Sequence, residues 1–381
     1  MCKPALIHRI SHFGSSIFPR PGFPSCTFVL NEVSFDQMEK NVSGKFKIGI
    51  SRDAITANGT IFGEEAFKVL EDPAVEWEFL PEKVAELPAE YGETYDAICL
   101  MSAKVTRKTL SGAKRKVKLI ARFGVGYDAV DVPACTENGV LLTITPDGVR
   151  RPVAASVIGF VLALAHRMFL KDRLTREGRW AEKGNYLGSG LMGRTLGVIG
   201  VGNIGKEIFK LAQPFGMKLL GCDPNVAQSS VASLGVNMVD KDTLLKQSDY
   251  ISVNTLLDDK TRGLIGAREF ALMKPSAYFI NTARGPVVVE SALIDALKNN
   301  RIAGAAIDVF EQEPVSPDNP LLKMDNVIVA PHAICHTDEC MSLLGQSAFK
   351  AAVDLAHGRK PHLIVDTEVL RHPAWVGKFH A

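Results

Sequence analysis

Residues 195–212 read TLGVIGVGNIGKEIFKLA, and this stretch limits the fold more tightly than any other part of the chain. An apolar strand-like run leads into Gly200, Gly202 and Gly205 at the spacing GxGxxG, and an amphipathic helical pattern follows. The first glycine allows a tight turn, the second lets the backbone approach a diphosphate, and the third lets the helix pack close to the sheet. The helix start then aims free N–H groups and the positive end of its dipole at that diphosphate. The next strand, MKLLGCD, ends in Asp223, 18 positions past Gly205. A carboxylate there accepts hydrogen bonds from both hydroxyls of an adenosine ribose and repels a 2′-phosphate. No arginine follows in CDPNVAQ to neutralise such a phosphate, so the motif selects NAD (NADH) over NADP.

The rest of the chain supports the same kind of fold. From Phe46, short apolar runs (FKIGIS, VEWEFL, YDAICLM, VKLIARF, VLLTIT) alternate with helical patterns such as GEEAFKVL and VTRKTLSGA. After a long apolar helix, PVAASVIGFVLALA, a second series follows: TLGVIGVG, KLLGCD, YISVNT, AYFINTA, IAGAAIDV and NVIVAP. Strands alternating with helices make parallel sheets. The expectation is an α/β protein with two doubly wound parallel-sheet domains, Rossmann-like or flavodoxin-like, separated by a cleft. A length of 381 residues suits two domains.

Composition excludes several alternatives. The 14-residue apolar run Pro152 to Ala165 is shorter than the roughly 20 residues a membrane span needs, so it reads as a buried helix and no membrane is expected. With 44 basic and 42 acidic residues, net charge is +2 and no long basic block is present to follow a phosphate backbone, which argues against nucleic acid. Seven scattered cysteines without a CxxC pair suit free thiols in a reducing compartment, and the expected location is cytoplasmic. Residues 1–45 differ in character: Lys3, Arg9 and Arg20 precede any acidic residue. Two readings remain open for residues 1–37, an organelle transit peptide or a translation start placed too early, with Met38 just ahead of the first strand.

Three later strand ends carry candidates for chemistry: Arg284 in INTARGP, Glu313 in DVFEQEP and His332 in VAPHAICH. Strand C-terminal ends face the ligand crevice in an open α/β sheet, so all three can converge there. Histidine serves as acid and base near neutral pH, a carboxylate raises and orients it, and arginine grips a carboxylate through two parallel hydrogen bonds.

The stretches LIARFGVGYDAVD, TLGVIGVGNIG, MKPSAYFINTARGPVV, ALKNNRIAGAAIDVFEQEP and NVIVAPH together resemble the D-isomer-specific 2-hydroxyacid dehydrogenase family, from about Phe46 to Leu370. The resemblance implies that Arg284 binds the substrate carboxylate, Glu313 pairs with the histidine, and His332 is the acid/base. It implies that Val125 and Gly126 line the substrate site. Asn203, Ile204, Asp223, Thr255, Thr282, Ala283 and Asp308 would join the glycines in contacting NAD, Asp308 beside the nicotinamide amide. It further implies a discontinuous substrate-binding domain, 46–150 plus 336–370, around an NAD-binding domain at 151–335, with 371–381 as a C-terminal tail, and assembly as a homodimer through the cofactor domain. The substrate would be a small 2-hydroxy or 2-keto acid.

Several positions depart from the family pattern: Ala155, Asn254, Leu256 and Val289 replace frequent residues, and Arg150 and Arg151 add charge near the hinge. These two arginines either reach a second anionic group of the substrate or are solvated helix-start charges. Alternative functions are an NAD-sensing binding module of the corepressor type and a phosphite dehydrogenase-like activity; a formate dehydrogenase would carry glutamine where Glu313 stands. The residues after Leu370 are too few for the amino-acid-binding domain that ends some phosphoglycerate dehydrogenases. Cys335, His336 and Cys340 beside His332 invite a metal reading, but structural zinc draws four ligands from paired short spacings, so no metal is expected. Thr337 instead reads as the N-cap of a helix whose first turn holds two acids.

Overall fold

The computed structural model describes residues 44–57 and 59–379. The basic start with Lys3, Arg9 and Arg20, the candidate initiator Met38, and Cys2 and Cys26 lie outside the described residues.

Five parallel strands form the first sheet: β1 (Phe46–Ile50), β2 (Val75–Phe79), β3 (Ala97–Leu100), β4 (Leu119–Arg122) and β5 (Leu141–Thr143), in the order β2-β1-β3-β4-β5. Seven parallel strands form the second: β6 (Thr195–Ile199), β7 (Lys218–Cys222), β8 (Val236–Met238), β9 (Tyr250–Val253), β10 (Tyr278–Asn281), β11 (Gly304–Ile307) and β12 (Val327–Val329). Their order is β8-β7-β6-β9-β10-β11-β12. Both sheets are doubly wound, as expected. Every residue of β3, β6, β9 and β11 is buried, because helices cover both faces. That is why these strands read as continuous apolar runs rather than as alternation.

Two local expectations fail. The stretch 105–113 is not a helix: Val105 bridges Val130 as extended chain, and a turn follows, held by the Thr106 N–H on Thr109 Oγ1 at 3.1 Å and the Thr109 hydroxyl on Leu87 O at 2.7 Å. Threonine hydroxyls compete with helical bonding in this way. Strand β8 was not expected, since the three edge residues VNM carry too little apolar pattern.

Four helices matter for the site: α1 (Gly63–Phe67), α2 (Pro146–His166), α3 (Asn203–Ala212) and α4 (Asp338–Ala356). Helix α2 has 21 residues, longer than the apolar run inside it, and is apolar enough to cross a membrane by composition alone; 61% of its apolar window is buried inside the protein. Val149 and Val153 pack into the core of the first sheet, and Ala154 to Ala165 into that of the second. Helix α4 returns the chain to the first core, where Leu344, Ala348 and Phe349 meet Ile48, Ile50 and Cys99. The two helices cross at Gly148, where a Cβ would stand 2.9 Å from the Leu344 amide nitrogen. Thr337 caps α4 by accepting from the Cys340 N–H at 3.1 Å, and Cys340 faces the core. Beyond residue 370 the chain still packs: Trp375 is 7% exposed and its indole N–H donates to Gly139 O at 2.7 Å.

Candidate active site

The glycine turn joins β6 to α3 at the point where strand order reverses, with β7 on one side and β9 on the other. Open α/β sheets bind ligands at such a reversal. Gly200 has φ +91°, and a Cβ there would lie 2.7 Å from the Asn254 carbonyl, so only glycine fits. A Cβ on Gly205 would overlap the Gly200 carbonyl oxygen, whereas beyond Gly202 nothing stands within 4 Å. The second glycine therefore faces open space, as a diphosphate requires. Gly202 is also the N-cap of α3 and has no side chain to cap with, which leaves the N–H groups of Asn203, Ile204 and Gly205 for an anion.

Asp223 follows the end of β7 at the mouth of this turn. Its Oδ2 accepts from the Val201 N–H and its Oδ1 from the Asn225 N–H, both at 2.9 Å. The hydroxyl oxygens of Thr255 and Thr282 are buried and lack any hydrogen-bond partner. Such orphans cost about 1–3 kcal/mol each unless a ligand pairs them. Buried orphans at two expected cofactor contacts, together with the open face at Gly202, fit NAD.

Ala283 and Arg284 follow β10 in a loop tied by buried Asn281, whose Oδ1 accepts from the Ala283 N–H at 3.0 Å and whose Nδ2 donates to Arg284 O at 3.1 Å. The Arg284 guanidinium donates from Nη1 to Ala283 O at 2.7 Å and from Nε to Asp128 Oδ1 at 3.0 Å. It lies so close over Gly126 that a Cβ there would collide with it. Gly126 thus comes from the loop after β4 to meet Arg284, which follows the second sheet, while Val125 beside it packs against the first core.

After β11, Glu313 and His332 meet: His332 Nδ1 and Glu313 Oε2 are 2.7 Å apart, and Glu313 Oε1 accepts from the Phe310 N–H at 3.0 Å. Half-burial opposes the charge on Glu313. Hydrogen bonds from His332 and the Phe310 N–H, with the Coulomb pull of His332 and Arg284, nonetheless hold its carboxyl below the ordinary value. His332 sits at φ 54°, a left-handed conformation that costs a non-glycine residue about 1–2 kcal/mol. Asp308 holds it there. The His332 N–H donates to Asp308 O at 2.8 Å, and Asp308 Oδ1 accepts from the N–H groups of Ala333 and Ile334 at 3.0 and 3.2 Å. Burial pushes the Asp308 carboxyl up, against the pull of those two N–H groups.

Cys340 is buried in the first core and Cys335 packs against it, and among the described residues no group of three His, Cys, Asp or Glu side chains is placed to hold a metal. Arg150 and Arg151 are half exposed on α2, 4.0 Å from Asp147 and 2.7 Å from Glu207 respectively. They therefore read as paired helix charges. The cations and anions that do reach the site and were not singled out from sequence are Arg122, the last residue of β4, and Asp128. Arg122 donates from Nη1 to Phe123 O at 2.7 Å, but its Nε is buried and unpartnered. Burial first, and then the charge of Arg284, push its guanidinium down to about 10. The available signal was a charged residue closing an apolar strand.

A family model described as the D-isomer specific 2-hydroxyacid dehydrogenase NAD binding domain matches residues 158–333. A glyoxylate reductase from Korarchaeum cryptofilum is 37% identical over 262 residues, 68% of this chain and 79% of that protein. A D-3-phosphoglycerate dehydrogenase from Archaeoglobus fulgidus is 40% identical over 265 residues, 69% of this chain and 50% of that protein. The chain spans about half the length of the phosphoglycerate dehydrogenases it matches. Among solved structures, a D-lactate dehydrogenase from Aquifex aeolicus complexed with NAD and lactic acid is similar with a TM-score of 0.71 at 27% identity, covering 82% of this chain and 96% of that one. With the doubly wound sheets, the glycine turn and these similarities together, the chain belongs to the D-isomer specific 2-hydroxyacid dehydrogenases, a family of NAD-dependent oxidoreductases.

Proposed function

We propose that this protein interconverts a D-2-hydroxy acid and its 2-keto acid, with His332 as acid/base, Glu313 tuning it and Arg284 binding the substrate carboxylate. The observation that carries the reading is the 2.7 Å pair of His332 and Glu313, with Arg284 close enough to act on the Glu313 charge. NADH, when bound, supplies a hydride to C2 of the keto acid. Arg284 binds the carboxylate and polarises the neighbouring carbonyl. His332, its Nδ1 turned to Glu313, presents Nε2 to the carbonyl oxygen and delivers the proton; in oxidation it takes the proton back. The loops from the two sheets enclose the substrate and keep water from the hydride path.

The names of the relatives support small 2-keto acids, so the first experiment is a spectrophotometric screen with NADH of glyoxylate, hydroxypyruvate, pyruvate, phenylpyruvate and 3-phosphohydroxypyruvate. With the substrate found, His332→Gln is expected to abolish most turnover while NADH still binds, and Arg284→Ala to raise KM and lower kcat together. Unchanged turnover in His332→Gln sinks the assignment; NADH binding without turnover of any keto acid favours the binding module. The same reading makes the protein a homodimer. It has helix α2 and the helix Met168–Arg176 present a mostly apolar groove of about 470 Å³ to a second copy, lined by Phe160, Ala163, Met168, Phe169 and Ile334 together with Ser156 and Asp172. Five described cysteines are free thiols, which suits a cytoplasmic location.

A further inference from the structure

The guanidinium of Arg284 is held on three sides before any substrate arrives. Nη1 donates to the chain's own Ala283 carbonyl, Gly126 presses against the Nη2 edge, and Nε donates to Asp128 Oδ1 at 3.0 Å. Of these, only Asp128 supplies a countercharge, and it comes from the loop after β4, on the opposite sheet from Arg284. Asp128 also faces a second cation. Arg122 lies near enough for its charge to act on both Asp128 and Arg284. Burial works against the Asp128 charge, but the charge of Arg284 and its hydrogen bond, with help from Arg122, hold the carboxyl below its ordinary value. Asp128 is thus ion-paired with Arg284 and within reach of the charge of Arg122, which repels Arg284.

We propose that Asp128 is a positioning residue: it fixes Arg284 through Nε across the cleft, so that the remaining guanidinium edge faces the substrate carboxylate and stays off Glu313. The proposal rests on the hydride-transfer reading above. Arginine loses much of its rotamer freedom when it is ordered, and an ion pair formed in the free enzyme supplies that ordering before substrate binds. Without Asp128, the repulsion from Arg122 is uncompensated. Glu313 remains as an anion that already feels the charge of Arg284. A guanidinium drawn to Glu313 competes with His332 for that carboxylate. Losing Asp128 therefore damages substrate binding and the proton donor together, although Asp128 touches neither.

The test compares Asp128→Ala, Asp128→Asn and Asp128→Glu as NADH complexes. Steady-state kinetics use the keto acid from the screen, oxamate inhibition probes carboxylate binding, and crystal structures locate Arg284. For Asp128→Ala the expected result is a rise of about ten-fold or more in KM and in the oxamate Ki. Its kcat at neutral pH should fall as well, NADH affinity and Tm should hold, and Asp128→Glu should recover most of the loss. Asp128→Asn, which keeps an acceptor without charge, should fall between. Wild-type KM and Ki in Asp128→Ala, a loss that merely follows a fall in Tm, or an Arg284 that stays in place in the crystals would overturn the proposal. If the wild-type enzyme turns over no keto acid while Arg284 still moves in Asp128→Ala, the dehydrogenase reading fails and the hold of Asp128 on Arg284 stands.

Discussion

At the scale of single residues, the site depends on a histidine held in a costly conformation. His332 follows Pro331 at φ 54°, and Asp308 offsets the strain with its carbonyl and one carboxylate oxygen. The same loop brings Nδ1 to Glu313. Because the folded protein holds the Glu313 carboxyl below its ordinary value, the stability it contributes is present above about pH 4–5 and is lost as acid protonates it. For catalysis, Glu313 holds the His332 ring through the 2.7 Å contact, so Glu313→Gln should lower kcat of keto-acid reduction at neutral pH about 10- to 100-fold. A wild-type kcat would remove Glu313 from this role. Arg284, Glu313 and His332 could be singled out from sequence as candidates because each follows an apolar strand run. Asp128 could not: its meaning comes from a partner 156 residues away.

At the scale of elements, the two glycines of the β6–α3 turn do different work and separate cleanly by experiment. Gly205 touches the Gly200 carbonyl, and an added methyl must push α3 off the sheet. Gly205→Ala should therefore lower stability by about 1–3 kcal/mol, read as a drop in Tm. Gly202 faces open space, so Gly202→Ala should keep the wild-type Tm while NADH binding, followed by fluorescence titration, weakens at least about ten-fold as the methyl meets the diphosphate. A Gly202→Ala protein that binds NADH normally would place the diphosphate elsewhere. The difference between the two positions was readable from the motif. The failure over residues 105–113 was not, because Thr109 is drawn out of helical bonding by the Leu87 carbonyl, a neighbour 22 residues away.

At the scale of the whole molecule, α2 and α4 cross at Gly148 and Leu344, and α2 carries the chain from one core to the other. Its outer side adjoins Met168 and Phe169, which are 50% and 62% exposed. If a second copy covers them, Phe169→Asp should give a monomer in sedimentation or light scattering, since burying an unpaired charge there costs several kcal/mol. A dimer of unchanged Kd would move the interface off this groove. The amino-acid sequence by itself determined the α/β class, the glycine turn followed by Asp223, and Arg284, Glu313 and His332 as the candidates for chemistry. Those features follow from local periodicity and from residue types at strand ends, which neighbouring residues suffice to specify. Only the tertiary structure decided that Arg150 and Arg151 pair with carboxylates on helix surfaces, that Asp308 holds the strained His332, and that Asp128 and Arg122 flank Arg284. The last two depend on groups brought together from different strand ends, where burial strengthens an interaction that sequence spacing does not record; the arginine pairs depend on the helix surfaces.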